Sequence, residues 1–159
     1  MVSKSLLAIL LSLALVPPAM AAGSRSTSRQ PSLPTAQPTD YELGEKAVQA
    51  GDFQRALVLL QKVIQDNPRN ADAWNYVGFS HRKLQHFDQS LVAYQKALAI
   101  NPDHRGANEY LGELYLKTGE LEKARERLAK LQRLCPRGCP EYDDLKKAVE
   151  AYELAQKKN

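Results

Sequence analysis

The chain has 159 residues, of which 43% are apolar and 25% are charged, and it carries a formal net charge of +4. This composition is ordinary for a soluble globular protein, and it excludes collagen-like, mucin-like and wholly disordered chains. Lys4, Arg25 and Arg29 precede a segment, residues 38–159, that holds 19 basic and 18 acidic side chains. The net charge therefore gives little support for binding to nucleic acid, and none is expected as a partner.

The first 21 residues have the pattern of a secretory signal peptide. Lys4 supplies positive charge near the start, Leu6–Val16 is an almost uninterrupted apolar run, and Ala19-Met20-Ala21 offers small residues for cleavage. The run is much shorter than the roughly 20 residues of a membrane-spanning helix, and no later stretch is apolar enough to span. We expect a mature chain that starts near Ala22 and is secreted across the inner membrane, with a bacterial periplasm favoured. An uncleaved membrane anchor is the alternative.

Residues 22–37 follow with a composition rich in Ser, Thr, Pro and Gln, and with Leu33 as the one large apolar residue. Such a segment cannot bury enough apolar surface to offset the entropy lost on ordering. We therefore predict a flexible leader between the cleavage site and the folded domain.

The rest of the chain repeats with a period of 34 residues. Three consecutive units share a proline column, a column of Leu-Gly or Val-Gly pairs, and a column of small residues. These columns are Pro68, Pro102 and Pro136; Leu43-Gly44, Val77-Gly78 and Leu111-Gly112; and Ala56, Ser90 and Ala124. Repetition at such a period is typical of solenoid proteins. The units are residues 37–70, 71–104 and 105–138, and residues 139–159 follow them.

Apolar residues recur at intervals of three and four in each unit, which predicts two amphipathic helices per unit. The residue before a proline avoids the helical region, so the proline column marks where the second helices stop. Gly51 and Gly119 suit helix ends with positive φ, whereas the middle unit has Gln85-His86 in its turn, which should be less favourable. The predicted helices are 39–50, 53–66, 71–84, 87–99, 105–118, 121–134 and 141–156.

The glycine column falls inside predicted helices, where glycine costs about 1 kcal/mol relative to alanine. That cost is explained if another backbone must approach at this point. The small residues Ala56, Ser90 and Ala124 follow the glycines by 12 positions, on the next helix. We therefore expect small residues to face the glycines where the two helices of a unit cross.

Together these columns resemble the tetratricopeptide repeat (TPR). The second unit matches best, through Trp74, Val77, Gly78, Ser90, Tyr94, Ala97 and Pro102. The resemblance covers residues 37–138 and implies an all-α TPR α-solenoid, a right-handed superhelix of three helix-turn-helix repeats. The segment 139–159 has one polar and one apolar helix face, as expected of a helix that caps a repeat array.

In TPR proteins the first helices of the repeats line a concave groove, so the resemblance implies a peptide-binding surface on that helix face. Its side chains here are Tyr41, Glu45, Val48, Asn75, Phe79, Arg82, Lys83, Glu109, Glu113, Leu116 and Lys117. Phe79 is the candidate anchor, because a large aromatic side chain on an open face has no core to fill. The cationic side chains could meet carboxylates, and the glutamates could meet basic groups. The alternative is a merely solvated face, with Phe79 half covered by the leader.

Some TPR domains hold the carboxyl terminus of a peptide in a clamp of Lys, Asn and Arg side chains. The corresponding positions here are Tyr41, Glu45, Tyr76, Gly106 and Tyr110. None of them carries a residue of the clamp type. The resemblance therefore disfavours binding to the acidic tails of cytosolic chaperones.

Cys135 and Cys139 frame Pro-Arg-Gly before the capping helix. In an exported protein an even cysteine count favours a disulfide, and a Pro-Gly turn allows the required Cα separation of about 4.4–6.8 Å. The run also superficially resembles the Cys-Pro-x-x-Cys-Pro motif of copper chaperones. Metal or redox chemistry and free thiols are therefore the alternatives.

No nucleophile motif, phosphate-binding loop or acid–base pair stands out, and the histidines lack metal-site spacing. We therefore expect no enzyme, no cofactor and no metal. The favoured function is an exported adaptor that binds a peptide or protein partner in the groove, in envelope protein assembly. A periplasmic metal- or thiol-handling protein that uses Cys135 and Cys139 is the alternative, and self-association is also possible.

Overall fold

The computed structural model describes residues 38–158, which form seven helices and, within that range, no strand. The predicted signal peptide (1–21) and leader (22–37) lie outside the described residues. Every predicted helix is present, and each end differs from its prediction by no more than one residue. The helices are α1 (Asp40–Gln49), α2 (Phe53–Asp66), α3 (Ala71–Lys83), α4 (Phe87–Ile100), α5 (Arg105–Lys117), α6 (Leu121–Leu134) and α7 (Pro140–Gln156). Within this range, no helix combines the length and apolar character needed to cross a membrane.

Polar side chains fix where the first helices begin. The Thr39 hydroxyl accepts a hydrogen bond from the Glu42 amide at 3.2 Å, and the Glu42 carboxylate accepts one from the Thr39 amide at 2.7 Å. The Asn70 side chain accepts a hydrogen bond from the Ala73 amide at 2.9 Å. These caps satisfy amide groups that have no partner within the helix.

The helices pack as three antiparallel pairs, α1 with α2, α3 with α4 and α5 with α6, and successive pairs stack side by side. The first helices touch one another in sequence, α1 with α3, α3 with α5 and α5 with α7, whereas among the described helices α2, α4 and α6 do not touch one another. A stack whose elements are closer on one side curves toward that side. The concave face is therefore the one formed by α1, α3 and α5.

Large apolar side chains fill the space beside the Cα atoms of the helical glycines, which the sequence pattern did not predict, whereas Ser90 faces Gly78 as predicted. A Cβ atom on Gly44 would lie 2.9 Å from Leu60, and one on Gly78 would lie 2.6 Å from the Tyr94 ring. The small residues Ala56, Ser90 and Ala124 are fully buried, and the Ser90 hydroxyl donates to the Gly78 carbonyl at 2.8 Å. The glycines are needed because leucine and tyrosine side chains press directly on the helix backbone.

The capping helix α7 packs on α6 and, more extensively, on α5. Leu145 and Val149 are buried, and Tyr142 and Tyr152 are half-buried, as the sequence pattern predicts. Leu154, which the pattern could also place inward, is exposed. A Cβ atom on Gly112 would lie 2.5 Å from Leu145, so α7, rather than α6, covers the glycine of the third pair.

The turn of the middle pair requires a left-handed residue, as the turns of the other two pairs do. Gly51 and Gly119 have φ values of 76° and 83°, and Gln85 occupies the equivalent position with φ of 63°. This conformation brings the Cβ atom of a non-glycine residue close to its own backbone. The prediction that the middle turn is less favourable is thus confirmed.

We expect Gln85→Gly to raise the free energy of unfolding by about 0.5–1 kcal/mol. Relief of the left-handed strain exceeds the extra entropy that glycine gains in the unfolded chain. Urea denaturation measures the change. Gln89→Gly, in the exposed first turn of α4, is the control and should lower stability; a loss of stability in Gln85→Gly would contradict the reading of the turn.

Candidate functional site: the concave groove

The concave face carries a groove whose floor is formed by α1, α3 and α5 and whose far wall is α7. Between α3, α5 and α7 lies an open hollow of about 650 Å³. It is lined by Arg82, Glu113, Leu116, Lys117, Ala148, Ala151 and Tyr152. The predicted residues of the second and third repeats therefore converge with side chains of the capping helix.

An aromatic cluster runs along the floor of the groove. The ring centroids of Phe79 and Tyr110 lie 4.9 Å apart, those of Phe79 and Phe53 lie 6.0 Å apart, and those of Tyr41 and Tyr76 lie 6.2 Å apart. All five rings are half-buried. Such rings can offer large, rigid apolar faces to a ligand at low entropic cost.

Phe79 stands at the centre of this cluster and is framed by cations. The Arg82 guanidinium lies 5.3 Å from the centroid of its ring, and the Lys83 ammonium lies 5.1 Å from the same centroid. Phe79 is thus less isolated than the sequence suggested, since neighbouring side chains cover part of its ring. Because part of its ring remains accessible in the groove, Phe79 is still a candidate anchor for a bound peptide.

The charged side chains of the groove differ in how they are held. Arg82 forms an ion pair with Glu113 at 2.6 Å, whereas Lys83 and Lys117 are exposed. Glu45 accepts a hydrogen bond from the Tyr76 hydroxyl at 2.9 Å. Burial and the nearby Glu45 carboxylate raise the pKa of Tyr76, so this hydroxyl stays a donor throughout the physiological range.

Two predicted residues lie below the groove surface. Asn75 is 6% exposed and Glu109 is 8% exposed. Burial, together with the carboxylates of Glu113, Asp144 and Glu141, raises the pKa of Glu109 to about 8. The start of α7 brings two of these carboxylates close, which the repeat pattern did not indicate.

Three other predicted residues pack mainly against the core. Tyr41 and Val48 on α1 pack against the core formed by α1, α2 and α3. Leu116 packs against the cluster beneath α7, although it also lines the hollow. The apolar strip of the groove is therefore continuous with the core beneath it.

Sequence reasoning missed Tyr76 and Tyr110 as members of the aromatic cluster. They are 34 residues apart and so form a column of the repeat, which is a signal that could have identified them. Phe53 also stands in a repeat column, with Phe87 and Leu121, but that column lies at the start of the second helices and did not indicate a place in the groove. The contributions of Ala148 and Tyr152 had no such signal, because α7 lies outside the repeats.

The two cysteines lie away from the groove, at the junction of α6 and α7. Their sulfur atoms are 2.17 Å apart and their Cα atoms 5.7 Å apart, which is the geometry of a disulfide. Both side chains are buried. A link at this point fixes the start of α7 to the end of α6. Within residues 38–158 no cluster of His, Cys, Asp and Glu side chains is arranged to hold a metal ion.

Comparison with protein families decides what kind of repeat this is. One tetratricopeptide repeat model matches residues 41–78 and a second matches residues 81–149, and together they span about two thirds of the chain. The chain belongs to the tetratricopeptide repeat family. A search of curated protein sequences gives no match to this TPR chain.

Solved structures with the same fold include peptide complexes. The first TPR domain of Spaghetti (RPAP3), bound to the HSP90 peptide SRMEEVD, is 20% identical, with a TM-score of 0.63 over 70% of this chain and 89% of that one. The Yersinia enterocolitica type III secretion chaperone SycD, in complex with a peptide of the translocator YopD, is 19% identical, with a TM-score of 0.64 and coverage of 74% and 92%. PcrH, in complex with the chaperone-binding region of PopD, is 21% identical, with a TM-score of 0.63 and coverage of 74% and 90%.

Proposed function

We propose that this TPR chain is a protein–protein interaction adaptor that binds an extended segment of a partner protein in its concave groove. The observation that carries the proposal is the half-buried aromatic cluster around Phe79, with the exposed Lys83 beside it. Aromatic side chains in a concave site supply most of the binding energy in many interfaces, and flanking charges add specificity. The peptides bound by RPAP3, SycD and PcrH support this use of the fold.

We propose further that the chain is exported and acts in the bacterial envelope. The Lys4 start, the short apolar run and the Ala19-Met20-Ala21 site support export. The cysteine pair at disulfide distance suits an oxidising compartment. Cell fractionation with sequencing of the amino terminus tests this part, and a cytoplasmic chain that still begins at Met1 would contradict it.

Phe79→Ala is the variant that tests the groove. Peptides are first selected with the unmodified chain from a random peptide library displayed on phage. The loss of a central aromatic anchor typically costs 2 kcal/mol or more, so we expect the selected peptides to bind Phe79→Ala about 30-fold more weakly. Removal of a half-buried ring should also lower the free energy of unfolding by about 1–2 kcal/mol.

Trp74→Ala is the matched control. Trp74 is also half-buried, but it lies on the outer side of the stack beside Val77, His81 and Val92. We expect a comparable loss of stability and no loss of peptide affinity. Equal losses of affinity in the two variants would show that binding follows overall stability and not the groove. Failure to select any peptide would overturn the adaptor proposal itself.

A further inference from the structure

Glu109 is a buried carboxyl group without a partner in the part of the chain that the structure describes. Its acidic neighbours each have an ion-pair partner: Glu113 pairs with Arg82 at 2.6 Å, Glu141 with Arg105 at 3.7 Å, and Asp144 with Lys147 at 3.4 Å. The Oε2 atom of Glu141 is buried and, like Glu109, receives no hydrogen bond within residues 38–158. No ion pair or hydrogen bond within residues 38–158 holds the Glu109 carboxyl group. The residue is 8% exposed, and its carboxyl oxygens are not fully enclosed, so a ligand can reach them.

A second acceptor without a donor lies on the adjacent helix. Asn75 is 6% exposed, and its Oδ1 atom receives no hydrogen bond within the described residues. The Nδ2 atom of Asn75 lies 3.4 Å from the position that a Cβ atom on Gly106 would take. Gly106 and Glu109 are one turn apart on the same face of α5. The Asn75 side chain therefore lies beside the first turn of α5, about one turn before Glu109.

Arg82 is the cation that faces Glu109, and it is already paired with Glu113. The chemistry that would complement Glu109 and Asn75 is therefore a further set of N–H donors with positive charge. Four carboxyl groups, those of Glu109, Glu113, Glu141 and Asp144, lie close enough to interact, so an incoming carboxylate would be repelled. A lysine ammonium has three N–H donors and an arginine guanidinium has five. Either group could satisfy acceptors on two helices at once.

We propose that Glu109 and Asn75, at the α7 end of the groove, accept a lysine or arginine side chain of the bound segment. The proposal deepens the adaptor function and rests on it. It also fixes the orientation of the bound segment in the groove, since the basic residue lies beside α7 and the apolar part of the segment lies over Phe79. We therefore expect the partners of this TPR chain to bind through basic segments and not through acidic tails.

The proposal predicts that binding releases a proton. The groups facing Glu109 are Arg82 on α3, Glu113 on α5, and Glu141 and Asp144 on α7. Burial and the three carboxylates raise the Glu109 pKa to about 8, whereas the Arg82 guanidinium acts in the opposite direction. At pH 7 the free carboxyl group is therefore mostly protonated. A bound cation favours the ionised form, so affinity should increase as the pH rises toward the raised pKa.

The test compares Glu109→Gln with Glu150→Gln, an exposed glutamate on α7 that pairs with Lys146 at 3.8 Å. The probes are library-selected peptides and their neutral counterparts, with lysine replaced by norleucine or arginine by citrulline. We expect the selected peptides to share a basic residue at a fixed distance from an apolar one. Glu109→Gln should weaken their binding about tenfold, because the amide keeps a hydrogen-bond acceptor but loses the negative charge. Glu150→Gln should not weaken it.

Calorimetry in buffers of different ionisation enthalpy supplies an independent readout. The unmodified chain should release close to one proton at pH 7 on binding a basic peptide, and neither Glu109→Gln nor the neutral peptide should show that release. A tenfold loss that is the same for basic and neutral peptides would show a merely structural role and overturn the proposal. Selected peptides without a shared basic residue would also overturn it while leaving the adaptor function intact.

Discussion

Replacement of Leu145 by alanine is expected to lower the free energy of unfolding by about 3 kcal/mol. Leu145 is fully buried, and it fills the space directly above the Gly112 backbone, where its atoms are the three nearest to the position of a Cβ atom. The cavity would lie between α5 and α7, so the capping helix should detach before the rest of the stack. Urea denaturation measures the loss, and hydrogen exchange of α7 amides locates it.

Leu154→Ala on the same helix is the control for this prediction. Its side chain is 55% exposed, so the same change should alter stability by less than about 0.5 kcal/mol. Because α7 forms one wall of the groove, we expect Leu145→Ala also to weaken peptide binding, and Leu154→Ala to leave it unchanged. Equal stabilities of the two variants would contradict the packing of α7 on α5.

A second large loss is expected for Gly78→Ala, about 2 kcal/mol of the free energy of unfolding. The new Cβ atom would lie 2.6–3.0 Å from three carbon atoms of the Tyr94 ring, and that ring is fully buried. The ring cannot move away without disturbing the core, and such overpacking costs about 1–3 kcal/mol. This cost exceeds the helix propensity gained by replacing glycine with alanine.

Gly106→Ala provides the matched comparison, again in a first helix. The nearest atoms to its new Cβ atom would be 3.4 and 3.5 Å away, so no large rearrangement is required. We expect unchanged or slightly higher stability, since alanine is the better helix former. Thermal unfolding of both variants decides the point: a stabilised Gly78→Ala would show that the Tyr94 ring does not press on α3.

The residues that set local conformation made the helices predictable. The prolines at 68, 102 and 136 end second helices by steric exclusion, and Gly51 and Gly119 supply the left-handed turns. These effects act over a few residues, so they can be recognised in the sequence before the fold is known. The sequence did not predict that Leu60 packs on Gly44 and Tyr94 on Gly78, because these contacts depend on how two helices cross.

The groove was predictable to the extent that it repeats. Phe79, Arg82, Glu113 and Lys117 follow from the resemblance to TPR proteins, applied in the 34-residue register, and the register also contains the missed pair Tyr76 and Tyr110. Contacts between neighbouring units recur along the array, so the position of a side chain in one unit predicts the position of the equivalent side chain in the next.

The sequence by itself therefore determined the helical pairs, their order and the face that lines the groove. Only the tertiary structure decided that Glu109 is buried among carboxylates and that α7 covers Gly112. The reason is that α7 follows the repeats without continuing their pattern. Its packing on α5 depends on long-range side-chain fit, and that fit sets the burial and charge at the end of the groove.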